Sequence, residues 1–144
     1  MLCAIGGNEC KLGESRGVTK VLVVDDDKES RDLLFEVLTT NGYSVGVVES
    51  AAAARSALEN DETYRIVIAD LRMPDGSGLE LVEELRRGTS KREIILMSSF
   101  ISGTERELAL DLGVDALLEK PFQLSELLEL VAGLDGERSV EISS

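Results

Sequence analysis

The sequence predicts a single α/β domain built on a doubly wound parallel sheet. Aliphatic runs without polar interruption occur at 21–24, 66–69 and 94–97, and such runs are typical of strands buried on both faces of a sheet. Segments with helical periodicity lie between them. This alternation of strand and helix favours right-handed crossovers that place helices on both faces. A chain of 144 residues is long enough for one such domain.

Two strand and helix pairs make up the first half of the domain. Lys20 to Val24 is the first strand, and the helix after it ends at Asn41, because Asn followed by Gly favours the left-handed turn of a helix end. Ser44 to Val48 is less uniformly apolar, which places it nearer the sheet edge. Ser50 caps a second helix over Ala51 to Glu59. The apolar stripe of the first helix consists of Leu34, Phe35, Val37 and Leu38.

The central strand runs into Asp70, and a turn rich in Pro and Gly follows it. Ser77 and Glu80 have the spacing of a capping box, which predicts the start of the third helix. The fourth strand, Glu93 to Met97, ends in Ser98. Polar side chains therefore follow directly after buried strands.

Two further segments complete the alternation. Ser102 and Glu105 repeat the capping-box spacing and begin a fourth helix that ends at Gly113. Ala116 to Leu118 is a short fifth strand. The last helix spans 124–132, and a glycine at the next position stops it. The apolar face of the fourth helix consists of Leu108, Ala109 and Leu112.

The two ends of the chain flank this domain. Residues 1–18 contain repeated Gly with Asn, Glu and Ser, which predicts a flexible N-terminal arm. The domain itself spans 19–134, and the polar residues 135–144 predict a frayed tail. Cys3 and Cys10 lack zinc-ligand spacing and periodic surroundings, so we interpret them as reduced thiols without a function.

Composition restricts the chemistry and the partners of the chain. Aromatic residues are only 3% of the total, so the core must be aliphatic. The formal net charge of -13 would repel phosphate backbones and anionic membranes, and we expect no direct contact with nucleic acid. Histidine is absent, which leaves oxygen atoms as the ligands for any metal ion. No apolar run has the length of a membrane span and no signal-peptide pattern is present, so we expect a soluble cytoplasmic protein.

The predicted strand ends bring an unusual set of side chains to one edge of the sheet. In open parallel α/β sheets, ligands bind in the crevice outside the carboxyl ends of the strands. An acidic cluster, one hydroxyl and one ammonium group are expected there. These groups belong to Asp25, Asp26, Asp70, Ser98 and Lys120.

Residues 20–133 resemble the receiver domain of two-component response regulators. The resemblance rests on Val-Asp-Asp-Asp after the first strand, Asp-Leu-Arg-Met-Pro-Asp-Gly-Ser-Gly after the third, a serine after the fourth and Lys-Pro-Phe after the fifth. Each motif alone is weak, but their order and spacing together are specific. The resemblance implies a flavodoxin-like fold, in which five helices surround a five-stranded parallel sheet of order 2-1-3-4-5.

The resemblance also implies a role for each matching residue. Asp70 corresponds to the phosphoryl acceptor, Ser98 to the switch hydroxyl and Lys120 to the family's lysine at the site. The implied ligands of a magnesium ion are Asp25, Asp26, Asp70 and the backbone carbonyl of Arg72.

Elementary electrostatics agrees with the implied magnesium ion. A carboxylate can attack phosphorus to form an aspartyl phosphate, but both partners are anionic. Two unit charges about 5 Å apart at an effective dielectric constant near 20 repel each other by roughly 3 kcal/mol. A cluster of three carboxylates therefore requires a cation, and Mg²⁺ accepts carboxylate, water and phosphate oxygens.

The partners follow from the same resemblance. A histidine kinase or a histidine phosphotransfer protein would donate the phosphoryl group, and a downstream protein would recognise the switched surface. The domain would catalyse only its own phosphorylation and dephosphorylation, so it would not be an enzyme in the usual sense. We expect no membrane contact, and a monomer or weak dimer.

Some positions depart from the usual family pattern. Ser99 stands where a smaller residue is usual, and Leu117 stands where many members carry a tyrosine or phenylalanine that takes part in switching. Asp27, in contrast to its two acidic neighbours, lies where the first helix begins, and we interpret it as a helix cap. Pro121 follows a peptide bond that the resemblance implies to be cis.

Two alternative functions use the same fold differently. A haloacid-dehalogenase-like phosphatase needs a second acid two residues after its nucleophile; Asp25 and Asp27 have that spacing, but Lys28 stands where a hydroxyl residue is needed. A receiver-fold binding module, or a phosphate sink without its own output, is the second alternative. Binding modules of this kind usually lose the acceptor or the acidic pair, and here both are present.

Overall fold

The computed structural model describes residues 18–88 and 91–143, and describes side chains as far as residue 135. Five main strands alternate with five helices. The strands are β1 (Lys20–Val24), β2 (Ser44–Val48), β3 (Tyr64–Asp70), β4 (Glu93–Ser98) and β5 (Ala116–Glu119). The helices are α1 (Lys28–Thr40), α2 (Ala51–Asn60), α3 (Gly78–Arg87), α4 (Gly103–Asp111) and α5 (Leu124–Ser143). Cys3, Cys10 and nearly all of the predicted arm lie outside the described residues.

The predicted sheet topology is confirmed. The main strands form a parallel sheet in the order β2-β1-β3-β4-β5, with β2 at the predicted edge. A second, two-stranded ribbon joins Arg72–Met73 to Gly76–Ser77 and lies between β3 and α3. The peptide bond between Lys120 and Pro121 is cis, as the resemblance implied.

Helices cover both faces of the sheet because the strand side chains alternate between two apolar layers. On one face, strand residues such as Leu22 and Leu96 pack with α2, α3 and α4. On the other, residues such as Val23 and Ile68 pack with α1 and α5. All four residues are at most 1% exposed. Burial of one such side chain stabilises the fold by about 1.5–3 kcal/mol, so the three central strands form a rigid support for the residues at their ends.

The predicted helix starts are confirmed by their caps. The Asp27 carboxylate accepts from the Ser30 N–H at the start of α1, and Ser50 caps α2. Complete capping boxes begin α3 and α4. Each cap satisfies N–H groups that have no partner within the helix, and so fixes where the chain turns back from the sheet edge.

The structure corrects the prediction for some helical residues. Gly133 does not end the last helix, because α5 continues to Ser143; one glycine inside a helix costs only about 1 kcal/mol. Phe35 and Leu108 were assigned to buried faces but are 43% and 47% exposed. In α1 the buried residues are Leu34 and Leu38, which are four positions apart and so lie on one narrow face.

Across the described ranges 18–88 and 91–143, no helix combines the length and the apolar character that crossing a membrane requires.

A close approach between α3 and the end of β3 leaves no room for a side chain at Gly78. A Cβ atom at this position would lie 2.6 Å from the backbone oxygen of Asp70 and 3.1 Å from the Cα of Leu71. The Gly78 N–H also donates to the Leu71 carbonyl at 2.8 Å. The start of α3 therefore helps to position the backbone that carries Asp70.

We predict that Gly78→Ala lowers the free energy of unfolding by about 1–3 kcal/mol, because the added methyl group must displace backbone atoms. Urea denaturation measures the change. Gly133→Ala is the matched control, since a Cβ atom there meets no atom within 4 Å. Alanine is the better helix former, so the control should gain up to about 1 kcal/mol. Equal effects of the two substitutions would contradict the close approach.

Candidate functional site

Three carboxylates meet at the carboxyl ends of β1 and β3. Asp25 is fully buried and Asp70 is 8% exposed, whereas Asp26 is exposed. One carboxylate oxygen from each residue lies within 4.8 Å of the others. Each pair of charges at this separation repels by about 3 kcal/mol at an effective dielectric constant of 20. The site therefore needs compensating positive charge.

Lys120 supplies part of that positive charge. Its Nζ donates to Asp70 Oδ2 at 2.9 Å and to Asp25 Oδ2 at 3.3 Å. Its backbone N–H donates to the Ser98 carbonyl at 2.7 Å, which holds the segment after β5 against β4. Burial by itself lowers the pKa of Lys120, but the hydrogen bond and charge of Asp70, followed by the charge of Asp25, raise that pKa above its ordinary value. The ammonium form is therefore maintained at neutral pH.

The remaining carboxylate contacts come from the backbone. The N–H of Arg72 donates to Asp70 Oδ1 at 3.0 Å, and the N–H of Asp27 donates to Asp25 Oδ1 at 3.0 Å. Each bond holds a carboxylate in place through the residue two positions further along the chain. The side chain of Asp27 instead caps α1, which agrees with its interpretation as a structural residue.

Ser98 lies at the end of β4 as predicted and is 2% exposed. Its hydroxyl donates to the Phe100 carbonyl at 2.9 Å. The same oxygen accepts from the Arg72 guanidinium at 2.7 Å and from the Phe100 N–H at 3.3 Å. In this arrangement the proton of the Ser98 hydroxyl is donated to a backbone carbonyl of the β4–α4 loop. Ser99 beside it is exposed, and Leu117 is half-buried in the apolar layer.

The side chain of Arg72 was not predicted to take part in the site; only its carbonyl was. Its guanidinium binds Ser98 and the Phe100 carbonyl, and it forms two hydrogen bonds with the carboxylate of Glu105 at 2.9 and 3.0 Å. Glu105 was identified only as part of a capping box. The two residues are 33 positions apart, so no local sequence pattern indicates their contact.

Asp75 is a further residue whose role the sequence did not indicate. Its two carboxylate oxygens accept from the N–H groups of Ala51 and Ala52, each at 3.0 Å. These N–H groups are at the start of α2, where negative charge is favourable. They lower the pKa of Asp75, with Ala52 contributing most. Asp75 therefore attaches the segment after Asp70 to a second helix.

The donor set fits a hard divalent cation. Asp25, Asp26 and Asp70 offer carboxylate oxygens on adjacent strand ends, and such oxygens are the ligands that Mg²⁺ prefers. The carboxylates of Asp25 and Asp70 are held by backbone N–H groups, so they need little reorganisation to receive an ion. The site combines a buried carboxylate, an ammonium group and a potential metal site.

Comparison with known proteins defines the class. The family model of the response regulator receiver domain matches residues 21–132. The chain belongs to the response regulator receiver domain family of two-component signal transduction. Domains of this family are signalling modules rather than conventional enzymes, interact with histidine kinases and bind Mg²⁺ at an acidic pocket.

Individual relatives agree with this membership. The response regulator MprA of Mycobacterium sp. (strain KMS) is 36% identical over 115 residues, which cover 80% of this chain and 50% of the relative. The chain thus spans about half the length of the curated relatives it matches. A receiver protein from Pseudomonas putida is 34% identical with a TM-score of 0.76, and the match covers 80% of this chain and 96% of that structure.

A CheY-like receiver domain protein from Methanospirillum hungatei JF-1 is more similar in structure, with a TM-score of 0.82 at 26% identity. That match covers 87% of this chain and 99% of the other. The structural similarity therefore includes nearly all of the other domain, and it confirms the predicted fold and family.

We predict that Asp75→Ala lowers the melting temperature at pH 7 and that the difference from the wild type shrinks as the pH falls below about 4. The folded-state pKa of Asp75 lies below its unfolded value of 3.8. Its stabilising effect is therefore present above that pH and is lost as the pH falls through the lower folded-state value. Thermal unfolding followed by circular dichroism across this range measures the effect.

Asp75→Asn provides the control for this experiment. Asparagine keeps a hydrogen-bond acceptor for the N-terminus of α2 but carries no charge that could titrate. Its difference from the wild type should be smaller at pH 7 than that of Asp75→Ala. A loss in Asp75→Ala that is the same at every pH would contradict the role of the Asp75 charge.

Proposed function

We propose that this domain accepts a phosphoryl group on Asp70 from a partner histidine kinase or histidine phosphotransfer protein. The observation that carries the proposal is the environment of the Asp70 carboxylate. The residue Asp70 is 8% exposed, and its carboxylate is contacted by Lys120 at 2.9 Å and lies within 4.8 Å of the carboxylates of Asp25 and Asp26. The family match over 21–132 supports the same function and supports a domain that spans 19–134.

The proposed reaction is a transfer between two nucleophiles. An oxygen of Asp70 forms a bond to phosphorus while the bond between phosphorus and the imidazole nitrogen of the donor breaks. The electron pair of the broken bond stays on that nitrogen, which then takes up a proton. The product is an aspartyl phosphate on Asp70 and an unmodified histidine on the donor.

Lys120 assists the transfer through its position. Its ammonium group already contacts the oxygen Oδ2 of Asp70, so a phosphoryl group attached to Asp70 arrives beside a positive charge. Interactions between an ammonium and phosphate oxygens are charge-assisted and short. Because the pKa of Lys120 is raised, this charge is present throughout the physiological pH range.

The metal site is proposed to consist of Asp25, Asp26, Asp70 and the backbone carbonyl of Arg72. A bound Mg²⁺ ion would neutralise the carboxylates and the negative charge of the phosphoryl oxygens. The residues of the chain set the location of the ion, because Asp25 and Asp70 are fixed by strands β1 and β3. Asp26 is exposed and leaves the site open to solvent and to a donor protein.

The proposed readout involves Ser98 and Lys120, which lie at the ends of neighbouring strands. Donation from the Ser98 hydroxyl to a phosphoryl oxygen requires that its present bond to the Phe100 carbonyl be broken. The β4–α4 loop would then change its contacts, and a downstream protein would recognise the altered surface. We propose that the domain acts in the cytoplasm as a monomer or weak dimer, without direct binding to nucleic acid or membrane.

The structure gives a reason to prefer this function to the phosphatase alternative. That alternative requires the carboxylate of Asp27 as an acid beside Asp25. The Asp27 side chain instead accepts a hydrogen bond from the backbone of α1, at 3.3 Å from the Ser30 nitrogen. A carboxylate used as a helix cap is not directed at the site.

We predict that incubation with acetyl phosphate and Mg²⁺ adds one phosphoryl group to the protein, and that Asp70→Asn abolishes this addition. The physical reason is that the Asp70 carboxylate lies nearest to Lys120 Nζ, at 2.9 Å against 3.3 Å for Asp25, and is close to both other acids. Intact mass measures the product. Asp75→Asn serves as the control, since Asp75 follows the same strand but binds α2. Equal mass gain in Asp70→Asn, or labelling undiminished by excess chelator, would refute the assignment.

We further predict that Asp26→Asn weakens Mg²⁺ binding far more than Asp27→Asn, by at least about tenfold in dissociation constant. Asp26 contributes an oxygen to the carboxylate cluster, whereas the Asp27 side chain caps α1. Asparagine is as good a cap as aspartate, so the second variant should fold normally. Calorimetric titration with Mg²⁺ makes the comparison, and equal losses of affinity would show that Asp26 is not a ligand.

A further inference from the structure

Arg72 makes a set of contacts that the proposed chemistry does not use. One terminal nitrogen of its guanidinium donates to the Ser98 hydroxyl oxygen and to the Phe100 carbonyl, each at 2.7 Å. The other terminal nitrogen donates to both carboxylate oxygens of Glu105, at 2.9 and 3.0 Å. A single side chain thus joins the segment after Asp70 to the end of β4, to the β4–α4 loop and to α4.

These contacts connect the candidate site with the start of α4. Glu105 is the third residue of that helix, and its carboxylate also accepts from the N–H of Ser102 in the capping box. The hydrogen bond to Ser102 and the charge of Arg72 both lower the pKa of Glu105. Glu105 is therefore ionised at neutral pH and available to pair with the guanidinium.

The contacts also fix the direction of the Ser98 hydroxyl. Its oxygen accepts from Arg72, while its proton is donated to the Phe100 carbonyl. That carbonyl accepts from Arg72 as well, so it retains a donor when the Ser98 proton is withdrawn. The Phe100 carbonyl therefore has two donors in this arrangement, and both Ser98 and Arg72 hold the loop.

An anionic group on Asp70 would compete with Glu105 for the guanidinium of Arg72. The backbone N–H of Arg72 already donates to Asp70 Oδ1 at 3.0 Å, so the two residues are adjacent in space as well as in sequence. Arginine forms bidentate pairs with phosphate as readily as with carboxylate. The Arg72 side chain is 52% exposed, which leaves it room to change partner.

We propose that Arg72 is a positioning residue that holds Ser98, the β4–α4 loop and the N-terminus of α4 in the unphosphorylated arrangement. An anionic group on Asp70 draws the guanidinium away from Glu105 and so releases this loop. The second step rests on the proposed function, whereas the first does not require any group on Asp70.

The first experiment tests the holding contact without a ligand. Amide hydrogen exchange is measured for Phe100 to Glu105 in the wild type, Arg72→Met, Glu105→Gln and the double variant. Glutamine keeps the capping box of α4 but removes the charge that pairs with Arg72. Both single variants should accelerate exchange by about two- to fivefold, as expected for a partly exposed ion pair. The double variant should exchange no faster than Arg72→Met, because the charge of Glu105 acts on the loop through Arg72.

Arg106→Met is the matched control. Arg106 belongs to the same helix, and its side chain also pairs with an acid, Glu119, at 3.8 Å, but its contact with Ser102 is made by the backbone N–H, which the substitution keeps. It should leave exchange at Phe100 to Glu105 within about twofold of the wild type. Unchanged exchange in Arg72→Met and Glu105→Gln, or effects that add in the double variant, would overturn the proposal.

The second experiment adds beryllofluoride with Mg²⁺ as a mimic of the phosphoryl group. In the wild type and in Arg106→Met, exchange at Phe100 to Glu105 should accelerate. In Arg72→Met and Glu105→Gln the loop is already released, so the additional change should be less than about twofold. A full response in both of these variants would refute the release step.

If the proposed function is wrong, the beryllofluoride experiment gives a different result. If beryllofluoride causes no change near Asp70 in any variant, the phosphoryl acceptor has been wrongly assigned and the release step is wrong. The exchange data without ligand still test whether Arg72 and Glu105 hold the loop. Non-additive acceleration in the two variants supports this contact, and exchange at the wild-type rate refutes it.

Discussion

The structure depends on the compensation of buried negative charge at the carboxyl ends of β1 and β3. Asp25 and Asp70 are almost completely withdrawn from solvent, and Asp26 adds a third carboxylate. Isolated carboxylates are costly to bury, so the arrangement requires partners. Lys120 and two backbone N–H groups supply them. The repulsion among the three carboxylates favours their contact with Lys120, and it would also favour a bound divalent cation. The stability of the site and the proposed chemistry therefore depend on the same interaction.

The aliphatic sheet makes this compensation possible because it fixes the separations between the charges. Strand β3 pairs with β1 on one side and β4 on the other, and its central residues are at most 1% exposed. The segment after Asp70 is then held at two points. Gly78 packs against the backbone of β3, and Asp75 binds the N-terminus of α2. These contacts hold the backbone segment on either side of Leu71, which carries Asp70.

Arg72 extends the electrostatic network in the opposite direction, towards α4. Its backbone N–H contacts Asp70, while its guanidinium contacts Ser98 and Glu105. One residue therefore participates in both the acidic cluster and the loop that the proposed switch must move. This arrangement couples the charge on Asp70 to the start of a helix through direct contacts, so no diffuse pathway through the core is needed.

The sequence by itself determined the fold and the polar residues that meet at one edge of the sheet, whereas the tertiary structure decided the exposure of certain side chains and the long-range contacts. Aliphatic runs identify β1, β3 and β4 because burial on both faces requires apolar residues at every position. Parallel pairing then brings Asp25, Asp70 and Lys120 to one edge. Phe35 and Leu108 were misassigned because local periodicity does not show how much of a helix its neighbours cover. The continuation of α5 past Gly133 was missed because a weak helix former does not by itself end a helix. The pairing of Arg72 with Glu105 could not be read from the sequence, because such a contact depends on how the β3–α3 and β4–α4 segments meet in space.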